Sequence, residues 1–223
     1  PLVIEKSDGV WYEDVHGRRI LDGLSGIFVV TVGHNNRRVI EAMKKQLDIM
    51  AFAPPLHATN PRAIELVEKL TTVTPEDLNI IKLLSGGSEA TEAAMKLARQ
   101  YHKQTGNPNK YKVIARYQGY HGATMGALSA TGTRRRKTMF EPVLPGFMHV
   151  HPPLCYHCPY EKSYPDCDVF CARTIEHLIE SEGAETIAAL ILEPIGNTGG
   201  VITPPPEYLP KVRDICSRHN ILL

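Results

Sequence analysis

The turn Gly86-Gly87-Ser88 runs directly into a strong helical pattern over residues 88–105. Glycines let a ligand approach the backbone, and the first turn of a helix leaves N–H groups without partners in the positive field of the helix dipole. The turn therefore predicts an anion site, and phosphate is the anion that suits it best. The alternative is a plain cap, in which Ser88 is the N-cap and Glu92 complements the dipole.

Two further segments that carry reactive side chains follow predicted strands. Residues 117–122, YQGYHG, expose Tyr120 and His121 between glycines, and Glu193 follows a predicted strand over 187–192. The carboxyl ends of parallel strands meet at one edge of a sheet, so these segments are expected to lie near the Gly86-Gly87-Ser88 turn. Together they provide an anion cradle, a flat stacking surface and a carboxylate. A planar, phosphorylated, heterocyclic cofactor requires those three features.

Four of the five cysteines are clustered in one stretch, as Cys155, Cys158, Cys167 and Cys171. Spacings of two and three residues are compatible with a tetrahedral zinc site, with disulfides, or with free thiols that pack in a long surface excursion. Free packed thiols are the interpretation that we favour, and we assign no metal ligand. The fifth cysteine, Cys216, lies in a helical pattern and is expected to be buried.

The elements that must position these residues follow from the periodicity of the chain. A hairpin is predicted within residues 9–23, a helix capped by Asn35 or Asn36 follows it, and a second helix spans about residues 60–70. Strands are then predicted at 80–84, 112–116 and 187–192, and helices at 88–105, from about 123, at 171–182 and at 206–219.

Strands that alternate with helices indicate a mainly parallel sheet covered on both faces. The fold class is therefore α/β, a three-layer α/β/α arrangement preceded by a small α+β segment. We divide it into residues 1–57, a hairpin plus helix, and residues 58–223, an incomplete large domain. The apolar residues 221–223 resemble the start of another buried strand, so we expect the chain to be part of a longer protein.

Composition excludes several classes of function. The apolar fraction of 43% and the net charge of +1 are typical of a globular protein with no nucleic-acid or membrane partner. The basic run at residues 134–137 is interpreted as a solvated face. The amino-terminal residues do not form a signal peptide, and no apolar run has the length of a membrane span, which predicts a cytoplasmic protein.

The motifs occur in the order and spacing of a known family. The sequence SGGSEATE at residues 85–92, YQGYHG at 117–122 and LEP at 192–194 resemble the class III aminotransferases, the ω-aminotransferase branch of the fold type I enzymes that use pyridoxal 5'-phosphate. Residues 11–26, together with Gly33-His34, are similar to the amino-terminal segment of the same family. The resemblance covers essentially the whole chain.

This resemblance implies roles for individual residues. Gly87 and Ser88 would bind the cofactor phosphate, and Tyr120 would stack on the pyridine ring. His121, also assigned to the cofactor site, would shape the adjoining loop or the substrate side, and Glu193 would be an acid near the cofactor that orients polar groups. Phe28 stands where relatives place a substrate-pocket side chain, although a core phenylalanine is an equally good interpretation.

The resemblance also implies which parts of the mechanism are missing. The family's Schiff-base lysine and its pyridine-pairing aspartate match no position in residues 1–223. We therefore expect this chain to be an inactive amino-terminal part of an enzyme that moves an amino group from an amine or ω-amino acid to a keto acid such as pyruvate. That enzyme is expected to be a homodimer or higher homo-oligomer.

Three alternatives remain open on the sequence. They are a decarboxylase or aminomutase of the same family, a non-enzymatic metal-binding module built on the cysteine cluster, and a nucleotide-binding domain. The last is disfavoured, because the Gly86-Gly87-Ser88 turn lacks both a Walker lysine and a dinucleotide glycine pattern.

Overall fold

A computed structural model describes residues 1–75 and 77–223 of the chain. They form two compact units, residues 1–81 and residues 82–223. The sequence placed a domain boundary after residue 57, which assigns the helix at 61–71 to the second domain, whereas this helix lies in the first compact unit. The division at residue 57 stays a prediction. In the described residues, no helix is long and apolar enough to cross a membrane.

The first unit begins with an antiparallel sheet of three strands. These are β1 (Ile4–Asp8), β2 (Trp11–Asp14) and β3 (Arg19–Leu21), paired in that order. The hairpin predicted from the sequence is the β2–β3 pair, and it is confirmed. The strand β1 was not predicted, because its run of alternating charged and small residues has no clear apolar face.

Three helical segments complete the first unit. They are a short left-handed turn α1 (Ser25–Phe28), then α2 (Arg37–Ile49) and α3 (Pro61–Thr71). Asn36 caps α2, since its side chain accepts hydrogen bonds from the backbone of Arg38 and Val39. Both predicted helices are confirmed. The apolar face of α2 is nevertheless exposed in the described residues.

The second unit is a parallel sheet between two layers of helices. Its strands are β4 (Lys112–Arg116), β5 (Phe147–Val150) and β6 (Ile187–Leu190), in the order β5-β4-β6. Its helices are α4 (Gly87–Gln104), α5 (Met125–Ala130), α6 (Arg134–Lys137), α7 (Phe170–Glu182) and α8 (Tyr208–Arg218), with short 3-10 turns at Thr138–Phe140 and Ala184–Thr186.

Alternate side chains of β4 face opposite layers. Ile114 packs in the larger core with α7 and α8, whereas Val113 and Ala115 pack with Met95 of α4 and Ala130 of α5. This is the period of two that a strand covered on both faces requires. The predicted three-layer α/β/α fold is therefore confirmed.

Two strand predictions need correction. Residues 80–84 do not form a strand, because none of the described residues pairs with their backbone, and Ile80 is 95% exposed. The strand β5 was missed, since its residues, FMHV, follow a proline-rich loop and form a run of only four. The apolar end of the chain does continue the sheet, where Leu222 pairs in parallel with Ala189 of β6.

Candidate cofactor site

The turn before α4 is built as an anion cradle. Gly86 is the N-cap residue, and the carboxylate of Glu89 accepts hydrogen bonds from the N–H groups of Ser85 and Gly86, each at 3.1 Å. The N–H groups of Gly87 and Ser88 have no partner in the described part of the chain. A Cβ placed on Gly86 or Gly87 would meet no atom within 4 Å. Two unpartnered donors therefore lie at the amino terminus of α4, where the space beside Gly86 and Gly87 is open.

The interpretation of Ser88 as an N-cap is wrong, because the N-cap is Gly86, two residues earlier, and Ser88 lies inside the helix. The Ser88 hydroxyl instead accepts a hydrogen bond of 3.0 Å from the N–H of Ala123. A hydroxyl retains its own proton to donate, so Ser88 joins α4 to the loop after β4 and still offers a donor.

The carboxylate of Glu92 also has a different role from the one that the sequence indicated. Its Oε1 accepts hydrogen bonds from Thr124 Oγ1 at 2.7 Å, from Gly126 N at 2.8 Å and from Ala127 N at 3.1 Å. Burial raises the pKa of Glu92, but these hydrogen bonds outweigh burial and hold the pKa below its usual value. Glu92 therefore caps α5 in its ionised form and fixes α5 against α4.

The loop that carries Tyr120 and His121 is fixed by short hydrogen bonds. The Gly119 carbonyl accepts from Gly132 N at 2.9 Å, and His121 N donates to Thr131 Oγ1 at 2.9 Å. A Cβ on Gly122 would lie 2.6 Å from Ser88 Oγ, so only glycine permits the loop to approach α4 this closely. The loop is therefore held at the amino end of α4, next to the cradle.

Tyr120 offers an accessible aromatic ring at this position. The residue is 36% exposed, so its ring is not buried in the core. The guanidinium carbon of Arg136 lies 4.8 Å from the centroid of the ring, which is a cation–π distance. Arg136 belongs to the basic run at residues 134–137. Its three arginines are exposed, as expected of a solvated face, and Lys137 is half-buried.

Glu193 connects two loops at the carboxyl ends of the strands. Its Oε1 accepts a hydrogen bond from Tyr120 N at 2.8 Å, and its Oε2 accepts one from Asn197 N at 3.0 Å. The carboxylate is thus used to hold backbone, in agreement with the orienting function that the resemblance implied. Its contact with a cofactor stays a prediction.

His121 is turned into the protein. It is 9% exposed, and its Nε2 has no hydrogen-bond partner in the described residues. Burial lowers the pKa of His121 to about 4; Arg116 and His149 lower it too, while Glu193 opposes them. The imidazole is therefore neutral at physiological pH and supports the loop from beneath.

The arrangement suits a flat, phosphorylated ligand. Unpartnered N–H groups and a hydroxyl lie at the amino end of α4, and the loop held against them carries an exposed tyrosine ring. Backbone donors at a helix terminus bind phosphate without a positively charged side chain. The residues present therefore fit pyridoxal phosphate at the phosphate end and at one face of the ring.

Comparison with known proteins agrees with this geometry. The family model described as aminotransferase class-III matches residues 1–223. The chain belongs to the class III aminotransferases. The chain is 43% identical over its full length to an uncharacterized aminotransferase of Bacillus subtilis, of which it covers 48%. It is 34% identical to an omega-amino acid–pyruvate aminotransferase of Pseudomonas putida, of which it covers 50%.

Solved structures give the same result. An (S)-enantioselective omega-transaminase from Thermomicrobium roseum superimposes with a TM-score of 0.95 at 38% identity, over all of this chain and 50% of its own. A PLP-bound amine transaminase from an uncultivated Pseudomonas species gives a TM-score of 0.94 at 37% identity, over all of this chain and 51% of its own. The fold type I architecture is confirmed. This class III aminotransferase chain spans about half the length of the curated relatives that it matches.

In the first unit, Phe28 lies on an unusual turn of this class III aminotransferase chain. It is 57% exposed, so its interpretation as a core phenylalanine is wrong. Ser25, Ile27 and Phe28 all have positive φ angles, and Asp22 fixes the turn by accepting hydrogen bonds from Gly26 N at 2.8 Å and Leu24 N at 3.2 Å. A strained turn that is held by a buried carboxylate presents Phe28 in one orientation.

The four clustered cysteines of the class III aminotransferase chain line one cavity of about 20 Å³. Burial raises the pKa of the Cys155 thiol and raises that of Cys171 to about 11, which keeps both protonated. None of the described residues forms a group of three or more ligands arranged to hold a metal ion. Because the family match includes the cluster, the interpretation of the chain as a separate metal-binding module is wrong.

The sequence analysis missed Arg116, the last residue of β4. It is 2% exposed, and its guanidinium donates a hydrogen bond to the backbone carbonyl of Glu193. One signal for it exists in the sequence, since an arginine ends the otherwise apolar run of residues 113–115. A charge at the carboxyl end of a buried strand points to a site at that edge.

Proposed function

We propose that this chain forms part of the cofactor site of a pyridoxal 5'-phosphate-dependent aminotransferase. The proposal rests on two N–H groups, those of Gly87 and Ser88, which have no partner in the described residues. They lie at the amino terminus of α4, beside the loop that carries Tyr120. In this site Gly87 and Ser88 bind the phosphate, and Tyr120 stacks on the ring. Glu193 and His121 hold the loop that carries Tyr120.

The full-length protein moves an amino group from an amine or ω-amino acid to a keto acid such as pyruvate. When bound, the cofactor supplies the electron sink that this exchange needs. The residues of this chain bind and orient that cofactor, whereas the lysine and the aspartate that the reaction requires match no position in it. Relatives named as acting on omega-amino acids or on putrescine, each with pyruvate, support this substrate class.

An assay of the full-length protein tests this function. We expect alanine to form from pyruvate in the presence of an amine or ω-amino acid, and no carbon dioxide to be released from amino acid donors. Carbon dioxide release without amino transfer would favour a decarboxylase, and isomerisation of the donor without pyruvate would favour an aminomutase. Either result would overturn the proposed reaction.

Phe28 contacts the substrate in this proposal. Its exposure on a turn fixed by Asp22 supports this role, since an exposed aromatic side chain on a strained turn is typical of a binding surface. In the full-length enzyme, Phe28→Ala should raise the KM for the amine donor and leave the affinity for the cofactor unchanged. An unchanged KM for every donor would contradict the role.

The full-length protein is a cytoplasmic homodimer or higher homo-oligomer in this proposal. The exposed apolar face of α2 supports an assembly, since the apolar face of a helix is expected to be covered by another surface. Light scattering after size-exclusion chromatography should give at least twice the mass of one chain. The mass of a monomer would contradict it.

A further inference from the structure

Arg116 is a buried cation that has no role in the cofactor site proposed above. Its guanidinium is 2% exposed and makes one hydrogen bond, from Nη2 to the backbone carbonyl of Glu193. Among the residues that the structure describes, its Nη1 is buried without a hydrogen-bond partner, and none of the ion pairs includes it. A buried charge held so incompletely is costly, which argues for a role beyond stability.

The position of Arg116 links it to the proposed stacking residue. Its guanidinium holds the backbone of Glu193, whose carboxylate in turn accepts the hydrogen bond from Tyr120 N at 2.8 Å. The ring of Tyr208, itself fully buried, supports the guanidinium from α8, with Cζ 5.9 Å from the ring centroid. A continuous set of contacts therefore runs from α8 through Arg116 and Glu193 to Tyr120.

Glu193 makes both contacts itself, with Arg116 through its backbone carbonyl and with Tyr120 through its carboxylate. Because the carbonyl and the carboxylate belong to the same residue, we expect a shift of the carbonyl to move the carboxylate. The carboxylate also accepts a hydrogen bond from Asn197 N at 3.0 Å. Arg116 is therefore joined to the backbone of Tyr120 through Glu193, although Arg116 itself is too deeply buried to touch a ligand at the surface of the loop.

We infer that Arg116 is a positioning residue of the cofactor site, which acts through Glu193 to fix the plane of the Tyr120 ring. The inference rests on the proposed function, since the ring matters only if it stacks on a cofactor. It adds a residue and a direction of action to that function. A rigid support of this kind keeps a stacking surface within the narrow range of orientations that binding requires.

The test measures binding and orientation of the cofactor in the full-length protein. Pyridoxamine phosphate is the probe for affinity, because it binds without a covalent bond to a lysine. In Arg116→Gln we expect its Kd to rise about tenfold, because the loop would no longer hold Tyr120 in the orientation that stacking requires. We also expect the visible circular dichroism of the bound pyridoxal phosphate to change, because that signal reports the orientation of the ring.

Three further variants separate positioning from stability. In Arg116→Lys, the ammonium can donate to the same carbonyl, so most of the affinity and the dichroism signal should return. Glu193→Ala should reproduce both changes, and Arg116→Gln combined with Glu193→Ala should be no worse than either alone. Arg99→Gln is the matched control, since Arg99 also donates to a backbone carbonyl, that of Tyr111 at 3.0 Å.

The outcomes decide between the two roles. A lower thermal midpoint in Arg116→Gln with unchanged Kd and dichroism would overturn the inference and leave Arg116 a structural residue. Additive losses in the double variant would also overturn it. If Arg116→Gln does not fold, Arg116→Lys and Glu193→Ala carry the same test. Absence of pyridoxamine phosphate binding in the unsubstituted protein would instead overturn the proposed function on which the inference rests.

Discussion

The two ends of β4 each bury a positive charge, and the charges are satisfied very differently. Lys110, just before the strand, shares the three N–H donors of Nζ among the carbonyl oxygens of Ala184, Ile187, His219 and Asn220, at 2.7 to 3.2 Å. Arg116, at the other end, donates to one carbonyl and keeps Nη1 without a partner. The Lys110 ammonium is therefore fully satisfied, whereas the Arg116 guanidinium is not.

This difference separates framework from site. Lys110 lies just before β4 and binds the segment before β6 and the segment before residues 221–223. These contacts fix the three segments relative to one another at the amino end of the sheet. In the loop that follows β4 and at the amino terminus of α4, further groups have no partner among the described residues, as in the N–H of Gly87 and the Nε2 of His121. Incomplete satisfaction at one edge of a well-packed sheet is characteristic of a functional edge.

Removal of the Lys110 ammonium should have the largest effect of those predicted. Lys110→Met leaves four carbonyl groups without their buried donor, so the free energy of unfolding should fall by about 3 kcal/mol or more. Urea denaturation of the full-length protein measures this loss. Lys112→Met is the control, because its ion pair with Glu182 is partly exposed, and it should cost less than about 1 kcal/mol.

The comparison of the two ends adds a condition to this prediction. Lys110→Met should leave the Kd for pyridoxamine phosphate unchanged in the fraction that remains folded. A tenfold weaker affinity would break the distinction between a framework end and a site end.

The pH dependence of stability tests the burial of His121. Its pKa of about 4 lies below the value of about 6.5 in an unfolded chain, so the unfolded state binds more protons between these values. Stability that is present above pH 6.5 is then lost as the pH falls toward 4, by roughly 3 kcal/mol at most. His121→Gln should flatten most of this dependence in denaturation series between pH 4 and 7.

Some dependence of stability on pH should remain in His121→Gln, because burial also lowers the pKa of His149. His157→Gln, which alters an exposed histidine of the cysteine-rich segment, is the matched control. Equal slopes for the native protein and His121→Gln would contradict the buried, neutral imidazole.

A smaller effect is expected where the loop meets α4. In Gly122→Ala, the new Cβ lies 2.6 Å from Ser88 Oγ and 2.9 Å from Ser88 Cα, at a φ of 135°. We expect a loss of about 2 kcal/mol from overpacking and backbone strain, together with weaker binding of pyridoxamine phosphate. Gly106→Ala has a positive φ but open space, so it should cost less and leave binding intact. Intact binding in Gly122→Ala would contradict the close approach.

The cysteine cluster should give the smallest effect. Cys155→Ser combined with Cys158→Ser alters thiols that are exposed or half-buried, so stability should change by less than about 1 kcal/mol and cofactor affinity should not change. Elemental analysis of the purified protein should find no stoichiometric zinc. Stoichiometric zinc that is lost in the double variant would show that the cluster is a metal site.

Sequence patterns predicted the elements of this fold better than their partners. The helices α2 and α8 have equally clear apolar faces, yet Val212 and Ile215 of α8 are buried while Met43 and Leu47 of α2 are exposed. Periodicity reports a face that can be covered, and only the packed structure reports what covers it. The failed strand at residues 80–84 has the same cause, since a strand exists only with a neighbour.

The site was predictable to the extent that it lies in backbone and local motif. The predicted anion site at Gly87 and Ser88 follows from glycine placement and helix polarity, which are local properties, whereas the role of Tyr120 was implied by the family resemblance. The support beneath them was not predictable, because the contacts of Arg116 with residue 193 and of Glu92 with residues 124–127 join segments far apart in the chain. Such contacts follow from the register of the sheet and leave no local pattern.

The central claim is that the N–H groups at the start of α4 bind a phosphate, and Gly87→Pro tests it most directly. Proline is compatible with the first helical position, the extended Gly86 before it permits a proline, and the space around Gly87 is open. The substitution therefore removes one N–H donor and preserves the helix. Gly87→Ala, which keeps the N–H, is the control.

In the full-length protein, Gly87→Pro should weaken pyridoxamine phosphate about tenfold or more by isothermal titration calorimetry, as for the loss of a hydrogen bond to a charged group. It should leave the affinity for pyridoxamine, which has no phosphate, unchanged. Gly87→Ala should bind both ligands as the native protein does. Equal affinities of Gly87→Pro and Gly87→Ala for pyridoxamine phosphate would contradict the account.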